Sequence, residues 1–202
     1  MLICSLALAA DTDDGVRVAV RGVGVSLADS EIGSLYRSSW FTGGGAVVVP
    51  AGDQVAVDVE LSYKRMKGVT RESETLEVHG NEADLELIPF TVVGLYELPV
   101  SRGDLYAGFG WSFVSFRQYD VEGNEDVPSG QIAGMKICPE ARLGGRVDTG
   151  LLQAPLAPVG GPVADALEVE VYAARRVQIS GWTREGFDLS AWRFAAGVAV
   201  RF

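Results

Sequence analysis

Asp188-Leu-Ser-Ala-Trp-Arg-Phe-Ala-Ala-Gly-Val-Ala-Val-Arg-Phe202 alternates along its whole length. One face carries Trp192, Phe194, Ala196, Val198, Val200 and Phe202; the other carries Ala191, Arg193, Ala195, Gly197, Ala199 and Arg201. A strict period of two is the mark of a β-strand with two unlike faces. This strand runs to the final residue and ends there on an aromatic. A barrel that pairs its last strand with its first accommodates such an end, because closure leaves no free edge.

The same period recurs upstream. In Gln54–Lys64, Val55, Val57, Val59, Leu61 and Tyr63 point one way, and Ala56, Asp58, Glu60, Ser62 and Lys64 the other. Val16, Val18 and Val20 alternate with Arg17, Ala19 and Arg21, and Leu167, Val169 and Val171 with Glu168, Glu170 and Tyr172. The pattern predicts eight strands at 16–27, 38–49, 54–66, 84–98, 104–118, 132–148, 164–180 and 188–202. The expected fold is all-β: an eight-stranded antiparallel up-and-down transmembrane barrel.

Bulk properties agree. The chain has 202 residues, room for one domain, and 48% are apolar, yet no run approaches the length of a membrane-spanning helix. A net charge of −10 argues against nucleic acid as a partner. Residues 1–10 end in small side chains, with Ala7-Leu8-Ala9 fitting an A-x-A cleavage pattern, so they read as a truncated signal peptide ahead of a barrel domain at 11–202. Cys138 is then the only cysteine, which leaves no intramolecular disulfide.

The connections mostly alternate in length. Segments 28–37, 67–83 and 119–131 are long, whereas Pro50-Ala-Gly-Asp53 and Pro99–Gly103 read as tight turns. Barrels of outer membranes alternate in this way, with long external loops and short periplasmic turns. Residues 149–163, with Pro155, Pro158 and Pro162, depart from the rule and read as an extended periplasmic loop.

The polar face carries Arg17, Arg21, Asp58, Glu60, Lys64, Glu86, Glu140, Arg142, Arg146, Asp148, Glu168, Glu170, Arg193 and Arg201, acids and bases in equal number. Balanced ions suit a narrow lumen, where each must be paired to offset desolvation. The apolar face carries Phe90, Tyr96, Phe109, Trp111, Phe113, Trp192, Phe194 and Phe202 and is expected to meet lipid. Trp192 and Phe202 are ten residues apart on one face, about 25 Å along the axis of a tilted strand, which is the height of a lipid-facing band. Arg175-Arg176 is the misfit, because adjacent residues must send one arginine to each face.

Ile88-Pro-Phe-Thr-Val-Val-Gly-Leu-Tyr96, followed by Leu105-Tyr-Ala-Gly-Phe-Gly-Trp111, resembles the paired fourth and fifth strands of OmpA-type and related small eight-stranded outer-membrane β-barrel proteins. The terminal Phe202 fits the same family. The resemblance implies a Gram-negative outer-membrane location and partnership with membrane lipid and lipopolysaccharide. It also implies that the barrel-assembly machinery reads Phe202 as an assembly signal, and that Gly108 and Gly110 face the lumen. A monomer is expected.

Chemistry is sparse. His79 is the only histidine and stands in no His-x-Ser pattern. Asp120–Asp126 places oxygens at alternate positions but has no glycine at the sixth position, where a calcium loop requires one. No catalytic, cofactor or metal residue is assigned. The expected role is non-enzymatic: structural, or surface interaction through the external loops, with the lumen plugged by side chains. The alternatives are a carrier for a small apolar ligand, either a soluble lipocalin-like barrel or a laterally opening membrane barrel, and, third, a lipid-modifying envelope enzyme.

Overall fold

The computed structural model describes residues 15–28, 36, 38–71, 78–120, 133–150, 166–178 and 188–202, without the side chains of 69–71, 78–83 and 118–120. The expectations for 1–10, for 121–126 and for most of 149–163 lie outside the described residues, as does the side chain of His79.

Eight strands form in order: β1 (Arg17–Leu27), β2 (Ser39–Gly52), β3 (Val55–Arg71), β4 (Val78–Val100), β5 (Gly103–Asp120), β6 (Ala133–Asp148), β7 (Ala166–Arg176) and β8 (Ala191–Arg201). Each pairs antiparallel with its sequence neighbour, and β8 returns to β1, from Arg17↔Arg201 to Leu27↔Ala191. Closure leaves no edge strand to template aggregation.

One end of the barrel carries the tight connections. Asp53 and Gln54 turn between Gly52 and Val55, and Ser101 and Arg102 turn between Val100 and Gly103. Gly103 sits at a φ of 146°, where a side chain would be strained. At the opposite end lie Leu27 and Ser39, Arg71 and Val78, Asp120 and Ala133, and Arg176 and Ala191, the facing ends of successive strands. These are called the turn end and the loop end below.

Several boundaries differ from expectation; β7 ends at Arg176 rather than running to 180, with Val177 and Gln178 outside the ladder. Pro50 lies inside β2, opposite Ala56, and the turn falls further on, with a register shift between Pro50 and Gly52. The segment expected as a loop at 67–83 is largely ladder, from Lys67↔Asp84 to Arg71↔Val78. Its sequence has no strict period of two, so it does not announce a strand, although the backbone still pairs. Pro89 leaves its own mark. The β3 ladder runs to Leu61↔Phe90 and resumes at Lys64↔Leu87, because proline has no N–H to donate, while pairing to β5 continues through Pro89↔Val114.

Candidate functional site

The period of two sends alternate side chains into the lumen, and the lumen holds ions. Arg21 donates through Nη1 to Asp58 at 3.0 Å and to Glu60 at 2.9 Å, and through Nη2 to Glu170 at 3.0 Å. Arg142 donates to Asp58 at 2.7 Å and to Glu140 at 3.0 Å. Arg193 Nη1 spans both oxygens of Glu140, at 2.8 and 2.7 Å, and its Nη2 donates to Glu60. Tyr172 stands among them. Its hydroxyl donates to Glu60 at 2.7 Å, and the Arg142 guanidinium lies 4.1 Å from its ring centre, a cation–π distance. All of these side chains are buried. Ions so placed persist only when nearly every polar atom is satisfied, since desolvation costs several kcal/mol per ion.

A second tier lies nearer the turn end. Arg17 pairs with Glu97 and Asp104, each at 3.4 Å, and with Glu168 at 3.1 Å. Arg146 pairs with Glu97 and lies 4.5 Å from the Tyr106 ring centre. Arg201 reaches Glu168 at 3.3 Å. Small residues make the room. A Cβ on lumen-facing Gly108 would come within 2.7 Å of Val93 Cγ1, and one on Gly144 within 2.6 Å of the Tyr106 hydroxyl. Gly110 also faces inward and is buried.

Toward the loop end the filling changes from ionic to apolar. Val23, Val25, Leu27, Met66, Leu85, Leu87, Val114 and Leu189 form one buried cluster, with Trp40 and Phe116 packed against it. Tyr36 joins this cap, where burial, and then the Asp84 carboxylate, push its phenol up to about 12, so it stays neutral at physiological pH. Between cap and ion network, Arg176 donates through Nε to the Leu189 carbonyl at 3.0 Å.

The outside is the reverse. Phe90, Tyr96, Phe109, Trp111, Trp192, Phe194 and Phe202 are exposed, together with Val20, Leu143 and Val171; Phe113 shares their face. Phe90 and Phe113 pack with ring centres 6.2 Å apart, and Phe109 and Trp111 at 6.4 Å. Trp192 lies at the loop end and Phe202 at the turn end, where the Phe202 N–H donates to the Val16 carbonyl at 2.9 Å. Apolar outside and ionic inside is the opposite of a water-soluble barrel.

Most residues expected on the polar face do point inward: Arg17, Arg21, Asp58, Glu60, Glu140, Arg142, Arg146, Glu168, Glu170 and Arg193 are buried there. Asp148 and Arg201 lie at the turn-end rim, and Lys64 at the loop end, where its ammonium donates to the Phe41 carbonyl at 2.9 Å. Glu86 is a correction. It shares the parity of Phe90 and Tyr96, faces outward, and stands opposite Arg65 and Arg117 on the neighbouring strands. Among the described residues, Glu97, Asp104, Lys136 and Arg176 are further inward charges that the sequence reading does not assign. The parity of Glu97 with Leu95, and of Asp104 with Gly108, is the signal that finds them. Arg175-Arg176 splits across the sheet as adjacency requires, with Arg175 outward and its guanidinium 5.2 Å from the Trp192 ring centre.

Among the described residues, no group of three or more His, Cys, Asp or Glu side chains is placed to hold a metal ion. The lumen acids direct their oxygens at guanidinium groups instead.

No family model matches the chain, and no curated protein sequence matches it. Solved structures do. The outer membrane protein OprG from Pseudomonas aeruginosa superposes with a TM-score of 0.55 at 15% identity, covering 94% of this chain and 97% of its own. Neisserial surface protein A superposes with a TM-score of 0.52 at 12% identity, covering 93% of this chain and 97% of its own. Closed strand order, inverted polarity and these superpositions agree: the chain has the fold of the small eight-stranded outer-membrane β-barrels.

Proposed function

We propose that the protein is an integral, non-enzymatic barrel of a Gram-negative outer membrane, with a lumen closed to steady ion flow. The observation that carries this reading is the continuous exposed apolar outer face, with Val20 at 73% and Leu143 at 67% exposure, around a core of buried ion pairs. Only a lipid solvent makes that outer face favourable. Closure follows from the filling: two tiers of paired ions lie under an apolar cap, and eight strands leave a bore that side chains fill. The work of such a barrel falls to its outer surface and loop end rather than to transport through the bore.

One experiment tests both parts. Expressed in a Gram-negative host, the protein is expected in the membrane pellet after a carbonate wash and as a heat-modifiable band on gels. Reconstituted in planar bilayers, it is expected to give no stable large conductance. Release by carbonate contradicts the membrane reading, and a reproducible open state contradicts the closed lumen.

A further inference from the structure

The loop-end rim of the outer face carries a cation, Arg175, that pairs with no carboxylate among the described residues. Arg175 is next to last in β7, Trp192 second in β8, Ser26 next to last in β1 and Ser39 first in β2. The ladders place these four side by side: Arg175↔Trp192, Trp192↔Ser26 and Ser26↔Ser39. They form one outward row where the strands reach the edge of the apolar face. Arg175 lies against the Trp192 ring, and its Nη1 is buried without a hydrogen-bond partner. Another outward cation is paired within the fold. Arg65, at the same end, is bonded to Asp84 at 2.9 Å.

Past the Trp192 indole, on the side away from Arg175, the surface is hollow. A groove of about 270 Å³ runs between Gly24, Ser26, Ser39 and Phe194, floored by Val25 and Trp40. Its lining is mostly apolar, and Phe41 and Phe194 stand on either side of Gly24 in the ladders. Glycine at position 24 keeps the hollow open rather than serving the backbone. A Cβ there would meet only the Phe194 carbonyl oxygen, at an ordinary 3.6 Å, so a larger side chain fits and would fill the groove.

We propose that this rim binds one phosphate-bearing lipid, with the phosphate on Arg175 and an acyl chain in the groove beside Gly24. The inference rests on the membrane reading above and adds a ligand and its place. A guanidinium matches phosphate in a two-point fork, and desolvation at a lipid surface strengthens that pairing. The position agrees, because lipid phosphates lie at the edge of the apolar band, level with the strand ends rather than mid-strand. The indole of Trp192 holds the guanidinium in place, and the groove accepts the chain that descends from the head group.

The test uses the full chain, purified in detergent and shown by heat-modifiability to be a folded barrel. It is exposed to a diphosphorylated, multiply acylated glycolipid or to the same lipid with its phosphates removed, and retention is read by native mass spectrometry. The wild type is expected to retain the phosphorylated form about tenfold better. Arg175→Gln should abolish the preference and Arg175→Lys should keep most of it. Gly24→Leu should weaken retention of both forms. Arg65→Gln, which removes an outward cation already paired within the protein, should change nothing. Equal retention of the two lipids by the wild type overturns the proposal, as does an undiminished preference in Arg175→Gln. Displacement of the lipid by millimolar inorganic phosphate alone also overturns it, since the acyl chain would then contribute nothing. Failure to form a heat-modifiable barrel contradicts the membrane reading itself, and so is distinguishable from failure of this site.

Discussion

Arg193→Leu is expected to destabilise the barrel by about 3–5 kcal/mol, the usual result of removing one partner from a buried ion pair. Arg193 bridges Glu140 and Glu60, which come from different strands and are both buried. Without it, Glu140 keeps Arg142 at 3.0 Å, and Glu60 keeps Arg21 at 2.9 Å and the Tyr172 hydroxyl at 2.7 Å. Two carboxylates then share too few donors in a space that water reaches poorly. Adding Glu140→Gln to Arg193→Leu should recover part of the loss, because one unpaired charge is removed with its partner. The measurement is urea unfolding of the protein in lipid vesicles, followed by tryptophan fluorescence. A loss below about 1 kcal/mol for the single variant would mean that the network is solvated like a surface pair.

Val171→Arg is the second large effect. Val171 is exposed on the outer face, four residues from Leu167 and four from Arg175 along β7, and so near mid-height. In water an arginine at such a position is nearly neutral, because it displaces nothing. In a bilayer it costs about 2–4 kcal/mol at the midplane. Val171→Leu serves as the control and should be close to wild type in either solvent. Unfolding in vesicles, compared between the two variants, gives the difference directly. Equal stabilities would mean that this face does not meet lipid.

Some of this structure was legible in the residues and some was not, for physical reasons. The middles of the strands have unlike faces, so Arg21, Glu60 and Arg193 could be placed inside from spacing alone. Glu86 was misassigned because it lies beyond the part of the strand with unlike faces. There polarity stops reporting the face, and only counting from Phe90 shows that it turns outward toward Arg65 and Arg117. The apolar cap was hidden for the complementary reason. Leu85 and Leu87 face inward while Ile88 and Phe90 face outward, so β4 is apolar on both sides and its period is blurred. The ion pairs themselves depend on inter-strand register. Nothing within β7 or β8 alone sets Arg175 against Trp192, or Tyr172 among three guanidinium groups from β1, β6 and β8.

The central claim is that the apolar outer face meets lipid, and collision accessibility measures that at single residues. Spin labels would be placed at Val20, Leu143 and Val171 on the outer face and at Asp53 in a turn, in a background without Cys4 and Cys138. In reconstituted vesicles, oxygen dissolved in the bilayer is expected to reach the three outer positions, and a water-soluble nickel chelate to reach only Asp53. Free access of the nickel chelate to all four positions would contradict the account.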